Sequence, residues 1–578
     1  MRATPTHTRP RRFFSYIPLL YALVIGCAWT GFLLKWGGML SVDSLFYLKT
    51  AVYMHFNHDY NTIPTVWPPF FPMAISALVP IAGWPATAGS LLSGLSLLGV
   101  LVFFCLIQRR TLNHTPMALA SLICLSSLTA IWRTYSFVWS ETLFGMLVLA
   151  HVFFLNEFLR TSKPRHVVFA AGLLSAAMMT RYLGIALFPL FALLVLHRYL
   201  VAVPHRRPET AALVVTLPIA PVLGFMYRNN RIDGSLAGLR GEGRFTAYEN
   251  IKLILGTLDR DLHDIIKVLW IVAALGFVCR LVTRLVRAYS PRRTPWRAEE
   301  IIEAYLYGFC VIYLAMLVYA ATTADINTLS TRFIEVLYPL FLLQIGLGAR
   351  QLWMRRRCIV QTGGAALVAL CLIAVPVADA GQVRAYFYAV HRPKVANRSY
   401  RDIGFDHSKT ATRLSAYIDE CSKTDDVVHF SGFYNRRSHR PIAMFGLFMR
   451  FGVIGRPADD LRISLHPGQA DPHSRRFLNN RNEFTMTFRR HGKNRKLVFW
   501  NPKRAHRIDL MVRSIDRLMT SHHLTALHFM VVTAYRTRAA FDFDKRIETF
   551  PLPRGLERAP ITRCGSISIH RFSRDRSD

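Results

Sequence analysis

The stretch SVDSLFYLKTAVYMHFNHDYNTIPTVWPPFFP, Ser41 to Pro72, decides how this chain reads. It follows the first long apolar run, Tyr16 to Leu34, and so begins just past a membrane exit. Leu45, Leu48, Val52 and Phe56 fall at near-helical spacing, and the segment closes on a Pro-Pro-aromatic-aromatic-Pro entry to the next apolar run. Asp43 stands near its head, where a carboxylate has two uses. It can be the N-cap of a helix beginning at Ser44, worth about 1 kcal/mol, or it can carry chemistry at the bilayer surface.

Working outward, the 578 residues are 52% hydrophobic and have a mean hydropathy of +0.25. Several apolar runs reach spanning length, which makes this a polytopic membrane protein rather than a soluble one. Spans are expected near Tyr16 to Leu34, Thr87 to Ile107, Met117 to Trp132, Phe137 to Leu159, Val167 to Thr180, Gly184 to Val203, Ala211 to Tyr227, Ile265 to Val286, Ile301 to Ala321, Phe333 to Gly348 and Gly363 to Ala378. That is about eleven. The run from Val167 to Val203 is too long for one span of ~20 residues, and Arg181 interrupts it, so it divides at Arg181, Tyr182 and Leu183. The first apolar run lacks a small-residue cleavage site and reads as a signal anchor.

Counting the helices through, the basic N-terminus, Arg109 with Arg110, Arg160 to Arg165, Arg198 to Arg207, Arg280 to Arg297 and Arg350 to Arg357 share one side. The positive-inside rule makes that side cytoplasmic. The Asp43 loop, Arg181, the segment from Arg228 to Lys267, Arg332 and the C-terminal segment then lie outside. An inner-membrane, multi-pass protein with a cytoplasmic N-terminus follows.

The segment from Arg228 to Lys267 breaks the charge rule. It reads as a long basic loop carrying Arg228, Arg231, Arg240, Arg244, Lys252, Arg260 and Lys267 with Gly234, Gly238, Gly241 and Gly243, on the side that normally avoids such charge. An anionic substrate explains it, and so does contact with lipid head groups. The formal net charge of +36 points the same way, toward head groups, phosphate-bearing substrates or acidic glycans. Nucleic acid as a partner is argued against by the outer location of the basic tail.

Ionisable residues in the spans extend the pattern. Glu141, in YSFVWSETLF, is placed about one and a half turns, ~7 Å, inside a helix whose outer end is near Ser136. A carboxylate at that depth is paired or functional. Arg133 and Arg181 are its candidate partners. Arg332, in STRFIEVLYPLF, has Glu335 at i,i+3 as a local partner.

These segments resemble a known family. The loop aspartate Asp43, Tyr47 a turn on and the element Pro68 to Pro72 resemble the first extracytoplasmic loop of the C-type glycosyltransferase superfamily, which includes protein O-mannosyltransferases and lipid A aminoarabinose transferases. Phe70 and Phe71 stand where a small residue and Tyr are usual, and Ser44 where several subfamilies carry a second acid. The "SE" at Glu141, the "TRYLG" at Arg181, the "RN, then Gly, then Arg" of YRNNRIDGSLAGLRGEGRF and the "RF" at Arg332 resemble further elements of the group. The resemblance implies transfer of a sugar from a polyprenyl-phosphate donor to a glycan, lipid or protein acceptor hydroxyl on the outer face. Asp43 is then the expected general base, with inversion at the anomeric carbon because no second carboxylate serves as nucleophile. Arg240, Arg244, Arg181 and Arg332 are expected to hold the leaving phosphate, with Tyr47, Glu141 and Arg228 also in the substrate site. No metal or cofactor is called for.

From Val383 onward apolar runs shorten, and about half of the Lys and Arg fall here. Strand-like segments (Val427 to Phe430, Lys496 to Trp500, Leu527 to Thr533, Ser566 to Phe572) alternate with helix-like ones (Thr410 to Glu420, Leu510 to Ser521), so the expected division is a transmembrane domain over 1–380 and a basic, extracytoplasmic α/β domain over 381–578. Cys421 and Cys564 bracket that domain, and an oxidising compartment would pair them. The other seven cysteines lie in or at the ends of apolar runs, as small hydrophobes. A glycolipid transporter or flippase would also be polytopic, but inverted repeats are not evident. A polytopic interaction protein is the third reading.

Overall fold

The computed structural model describes residues 16–56, 58, 63–112, 114–201, 208–238, 242–288, 297–324, 329–354 and 368–377, with shorter stretches beyond. The membrane part is helical: α1 (Ile17–Trp36), α2 (Val42–Phe56), α3 (Phe70–Ala82), α4 (Pro85–Thr111), α5 (Thr115–Ser127), α6 (Thr129–Ser136), α7 (Ser140–Thr161), α8 (Pro164–Thr180), a 3-10 turn (Tyr182–Leu187), α9 (Phe188–Leu196), α10 (Pro208–Asp233), α11 (Ala247–Asp261), α12 (Asp264–Ala288), α13 (Ala298–Thr323), α14 (Thr331–Ile334), α15 (Leu337–Met354) and α16 (Val368–Val377). Most of the expected spans fall on one of these helices or a bent pair; the one from Gly184 covers the 3-10 turn, α9 and a π-helical turn (His197–Val201), and the one from Gly363 meets only the short α16, residues 363–367 lying outside the described ones. Among the described residues seven helices are long and apolar enough to cross a bilayer, and eight if α5 and α6, bent by 58° at Leu128, count as one span. The short apolar α3 was not expected as a helix of its own.

Lipid exposure shows in the side chains. On α12, Val268, Ile271, Val272, Leu275, Val278, Val282 and Leu285 point outward, which is stable where hydrocarbon takes the place of water. The opposite case is the seam between α1 and α4. A Cβ on Gly94 would sit 2.8 Å from the Thr30 Cα, and one on Gly26 2.7 Å from the Leu98 Cα. Small residues here let two backbones approach within reach of dispersion forces, the chief source of helix adhesion in lipid. At the opposite end of the bundle from Asp43, Arg280 pairs with Glu303 at 2.5 Å, Arg284 with Glu300 at 2.6 Å and Arg350 with Glu299 at 3.4 Å. Part of the basic charge assigned to that side is thus neutralised by α13.

Two expectations are corrected. The span expected from Phe137 begins only at Ser140, because residues 137–139 are extended. Met39 donates to the Ser136 carbonyl at 2.7 Å, and Val138 donates to the Met39 carbonyl at 3.1 Å, a parallel bridge that takes the backbone of 137–139 out of the helix. The segment from Arg228 to Lys267 is not one long loop. α10 continues through Asp233, and α11 starts at a capping box in which Thr246 and Glu249 satisfy each other's amides.

Beyond residue 429 the described pieces are mostly strands, with helical residues at 548–549 and at 512–513, 516 and 519–520, the latter within the helix expected at Leu510 to Ser521. β1 (Phe430–Phe433), β5 (Ala526–Val532), β8 (Ile567–Arg574) and β6 (Leu556–Arg558) form a sheet in that order, with β7 (Thr562–Cys564) also on β8. The pairing of β1 with β5 is parallel and the others are antiparallel. β2 (Arg462–Leu465), β3 (Phe484–Arg490) and β4 (Lys493–Phe499) make an antiparallel ladder. Three of the four expected strands overlap β4, β5 and β8, and the fourth shares only Phe430 with β1, its residues 427–429 lying outside the described ones. The expected helix at Thr410 to Glu420, and Cys421 with its proposed disulfide, lie outside the described residues.

Candidate active site

The bridge between Met39 and Phe137 sets the site, because it brings the starts of α2 and α7 side by side. Trp139 fastens them further, its indole Nε1 donating to Ser41 Oγ at 2.6 Å. Ser41, not Asp43, caps α2: the Ser44 amide donates to Ser41 Oγ at 3.3 Å, and the Ser41 amide to Ser44 Oγ at 3.0 Å. The expected N-cap role of Asp43 is therefore corrected. The helix begins at Val42, and Asp43 lies inside its first turn with its carboxylate free to face elsewhere.

It faces Arg332. Asp43 Oδ2 and Arg332 Nη1 are 2.5 Å apart, so the local Glu335 partner expected for Arg332 is not the one it takes. Arg332 Nε also lies 3.7 Å from Glu141 Oε1, and Glu141 pairs directly with Arg181. Two carboxylates and two guanidinium groups thus form one row, Asp43–Arg332–Glu141–Arg181, with no net charge. Arg181 is there because α8 ends at it in an extended conformation before the 3-10 turn, which is where the sequence divided the run. Arg133, the other candidate partner for Glu141, is exposed.

Glu141 is the second residue of α7, not one and a half turns in, since the helix starts at Ser140. Both carboxylates of the row therefore sit in the first turn of a helix, where unpaired amides favour negative charge by roughly 0.3–1 kcal/mol each. Aromatic faces line the cations. Arg332 lies over the rings of Phe333 at 4.7 Å and Trp139 at 5.2 Å, and Arg181 over Phe333 at 5.3 Å. Weakly hydrated guanidinium groups tolerate such walls better than ammonium groups do.

Tyr47 joins the row through a serine. Ser140 Oγ donates to Glu141 Oε2 at 3.2 Å, which leaves the Tyr47 hydroxyl to donate to Ser140 Oγ at 3.0 Å. Tyr47 is buried against Phe71, 5.0 Å between ring centroids, and Trp67, 5.8 Å. Burial pushes its phenol well above the usual tyrosine range, and the Glu141 and Asp43 charges add to the effect. At neutral pH it is a hydroxyl and not a base.

Below the row lies Glu335, 1% exposed, its carboxylate beside the Tyr135 hydroxyl. Sequence reading gave it only as a partner for Arg332. Ser140, Trp139 and Phe333 were missed as well, although each adjoins a residue that was singled out. Of the expected substrate residues, Arg228 is half-buried and donates from Nη2 to the Ile63 carbonyl at 3.0 Å. Arg244 is exposed just ahead of α11, and Arg240 lies outside the described residues. Among the described residues no cluster of three or more metal-ligating side chains occurs.

The helical bundle thus carries a charge row between its first loop and three later elements, the start of α7, the end of α8 and α14. The fold is shared with a solved membrane protein, ArnT. The crystal structure of ArnT from Cupriavidus metallidurans bound to undecaprenyl phosphate matches over 97% of this chain and 97% of that one, with TM-score 0.51 and 12% sequence identity. The apo structure of the same protein matches with the same coverage, score and identity. The archaeal oligosaccharyltransferase AglB from Archaeoglobus fulgidus is matched over 77% of this chain and 64% of that one, at 11% identity and a TM-score of only 0.34. No family model matches the sequence, and no curated protein does.

Proposed function

We propose that this protein is a membrane glycosyltransferase that moves a sugar from a polyprenyl-phosphate donor to an acceptor hydroxyl on the outer face of the inner membrane, with inversion. The observation that carries the reading is the row Asp43–Arg332–Glu141–Arg181 at one end of a bundle with the fold of ArnT. The chemistry needs one carboxylate near fixed cations, and the row supplies both. The acceptor oxygen attacks the anomeric carbon while Asp43 takes its proton. The bond from that carbon to the phosphate oxygen breaks, its electron pair leaves on the phosphate, and arginines compensate the charge that develops there.

Arg332 and Arg181 are largely buried and preorganised by their partners and aromatic walls, which ranks them above the exposed Arg244 as phosphate ligands. Arg240 keeps its place as a candidate on sequence alone. Arg228 supports the site from behind, through the Ile63 carbonyl. A cytoplasmic N-terminus, a transmembrane domain over 1–380 and an extracytoplasmic basic domain over 381–578 complete the reading. An anionic acceptor such as an acidic glycan or lipid suits the charge of that domain.

The test is direct. Membranes containing the protein, supplied with a radiolabelled polyprenyl-phosphate sugar, should move label to an endogenous acceptor, and membranes without it should not. Movement of intact glycolipid between leaflets with no transfer would contradict the reading and favour a transporter.

A further inference from the structure

The segment RNNRIDGSLAG, Arg228 to Gly238, grips the outer loop that precedes α3, and Asn229 is the centre of the grip. Asn229 is fully buried. Its amide nitrogen is within donating distance of the Thr65 carbonyl at 3.0 Å, the Tyr182 hydroxyl at 2.9 Å and the Leu236 carbonyl at 3.3 Å. Tyr182 donates to the same Thr65 carbonyl at 3.2 Å. Arg228 donates to the Ile63 carbonyl on one side and to Asn229 Oδ1 at 3.3 Å on the other. Thr65 Oγ1 donates to Asp233 Oδ2 at 2.6 Å, while Asp233 Oδ1 receives the Ser235 amide at 3.0 Å. Gly238 completes the contact. Its φ is +78°, and a Cβ there would lie 2.6 Å from the Val66 amide nitrogen, so no side chain fits.

We propose that Asn229 is a positioning residue for the active site, holding residues 63–66 so that the following aromatic residues fix α2. Trp67 lies 5.1 Å from Phe46 and 5.8 Å from Tyr47, and Phe71 lies 5.0 Å from Tyr47, ring to ring. Asp43 stands four residues before Tyr47 on the same helical face. The path runs from Asn229 to Thr65, to Trp67, to Tyr47 and so to the orientation of Asp43 against Arg332. Loop backbone has no helix or sheet to satisfy its carbonyls, so buried side-chain donors decide its course. The "RN, then Gly" motif then acts on the loop and not on a ligand, because the amide of Asn229 and a nitrogen of Arg228 are already committed to loop carbonyls.

The kinetic half of the test rests on the reading of Asp43 as base, and the structural half does not. Hydrogen–deuterium exchange on the detergent-solubilised Asn229→Ala protein should show faster exchange in peptides covering 63–72 and 41–56, with other outer segments unchanged. Thr65→Val, which deletes one bond at nearly constant volume, should show the same pattern at smaller amplitude and covers the case in which Asn229→Ala does not fold. In transfer assays Asn229→Ala should lower kcat about tenfold with donor KM changed less than about threefold, and on an Asp43→Asn background it should lower the residual rate by less than about twofold. Unchanged exchange at 63–72 in both variants, or the same kinetic penalty with and without Asp43, would overturn the proposal. If the parent transfers no sugar, the function proposed above fails and exchange alone decides the fate of the latch.

Discussion

Arg332 holds Asp43 across 289 positions of sequence, with Nη1 and Oδ2 2.5 Å apart and both side chains largely buried. The proposed base and a proposed phosphate ligand therefore occupy each other when no substrate is bound. A phosphate entering the site competes with Asp43 for the same guanidinium. The consequence has an unusual sign. Asp43→Asn removes the competing charge and should bind a polyprenyl phosphate tighter than the parent, by about tenfold or ~1.4 kcal/mol, while Arg332→Gln should bind it more weakly. Titration of the solubilised proteins with the lipid checks both, and weaker binding by Asp43→Asn would mean that the pair is not in competition with phosphate.

Glu141 and Arg181 form the inner half of the row and should dominate its stability. Glu141→Gln strands a buried guanidinium, a loss of about 3–5 kcal/mol when one partner of such a pair is removed. Removing both, as Glu141→Gln with Arg181→Met, should recover part of that loss. Thermal unfolding in detergent distinguishes the cases. Equal melting temperatures for the parent and Glu141→Gln would mean that the pair is solvated in the membrane-bound protein.

Tyr47 offers a contrast with Asp43 on the same helix. Tyr47→Phe deletes one donor to Ser140 Oγ but keeps the ring against Phe71 and Trp67, so its cost should be about 1 kcal/mol of stability. Transfer should fall by less than about tenfold, because the phenol remains protonated and is not the base. A fall of a hundredfold or more would assign Tyr47 a direct part in catalysis.

Arg244, exposed ahead of α11, should behave as a rim charge. Arg244→Ala should raise the donor KM and weaken the dependence of that KM on salt while leaving the melting temperature unchanged within error, since exposed charges contribute little to folding. A drop in melting temperature with unchanged donor use would make its charge structural.

The spans were legible because lipid demands long apolar runs, and Arg181 was legible as a break because a cation cannot sit inside one. The break at Phe137, Val138 and Trp139 was not. All three are apolar, and only their pairing with Met39, nearly a hundred residues away, takes them out of the helix. That one tertiary bridge also moved Glu141 from the depth of a span to the head of α7. Helix α11 was legible in principle, since Thr246 and Glu249 have the spacing of a capping box, but the surrounding arginines and glycines drew the reading toward a loop. For Arg332 the local pattern offered Glu335, whereas the fold supplied Asp43. Neighbour rules along a helix say nothing about a partner from another element.

The central claim is that Asp43 takes the acceptor proton, and one substitution tests it. Asn cannot act as a general base at neutral pH, and because Ser41 caps α2, replacing Asp43 leaves the cap in place. The measurement is the rate of sugar transfer from a polyprenyl-phosphate donor by Asp43→Asn against the parent, in the same membranes at equal expression. A fall of at least ~100-fold with membrane insertion preserved is the predicted result, the loss of the charged partner of Arg332 costing some stability besides. Transfer at near-parental rates would contradict the account and leave Asp43 as no more than the partner of Arg332.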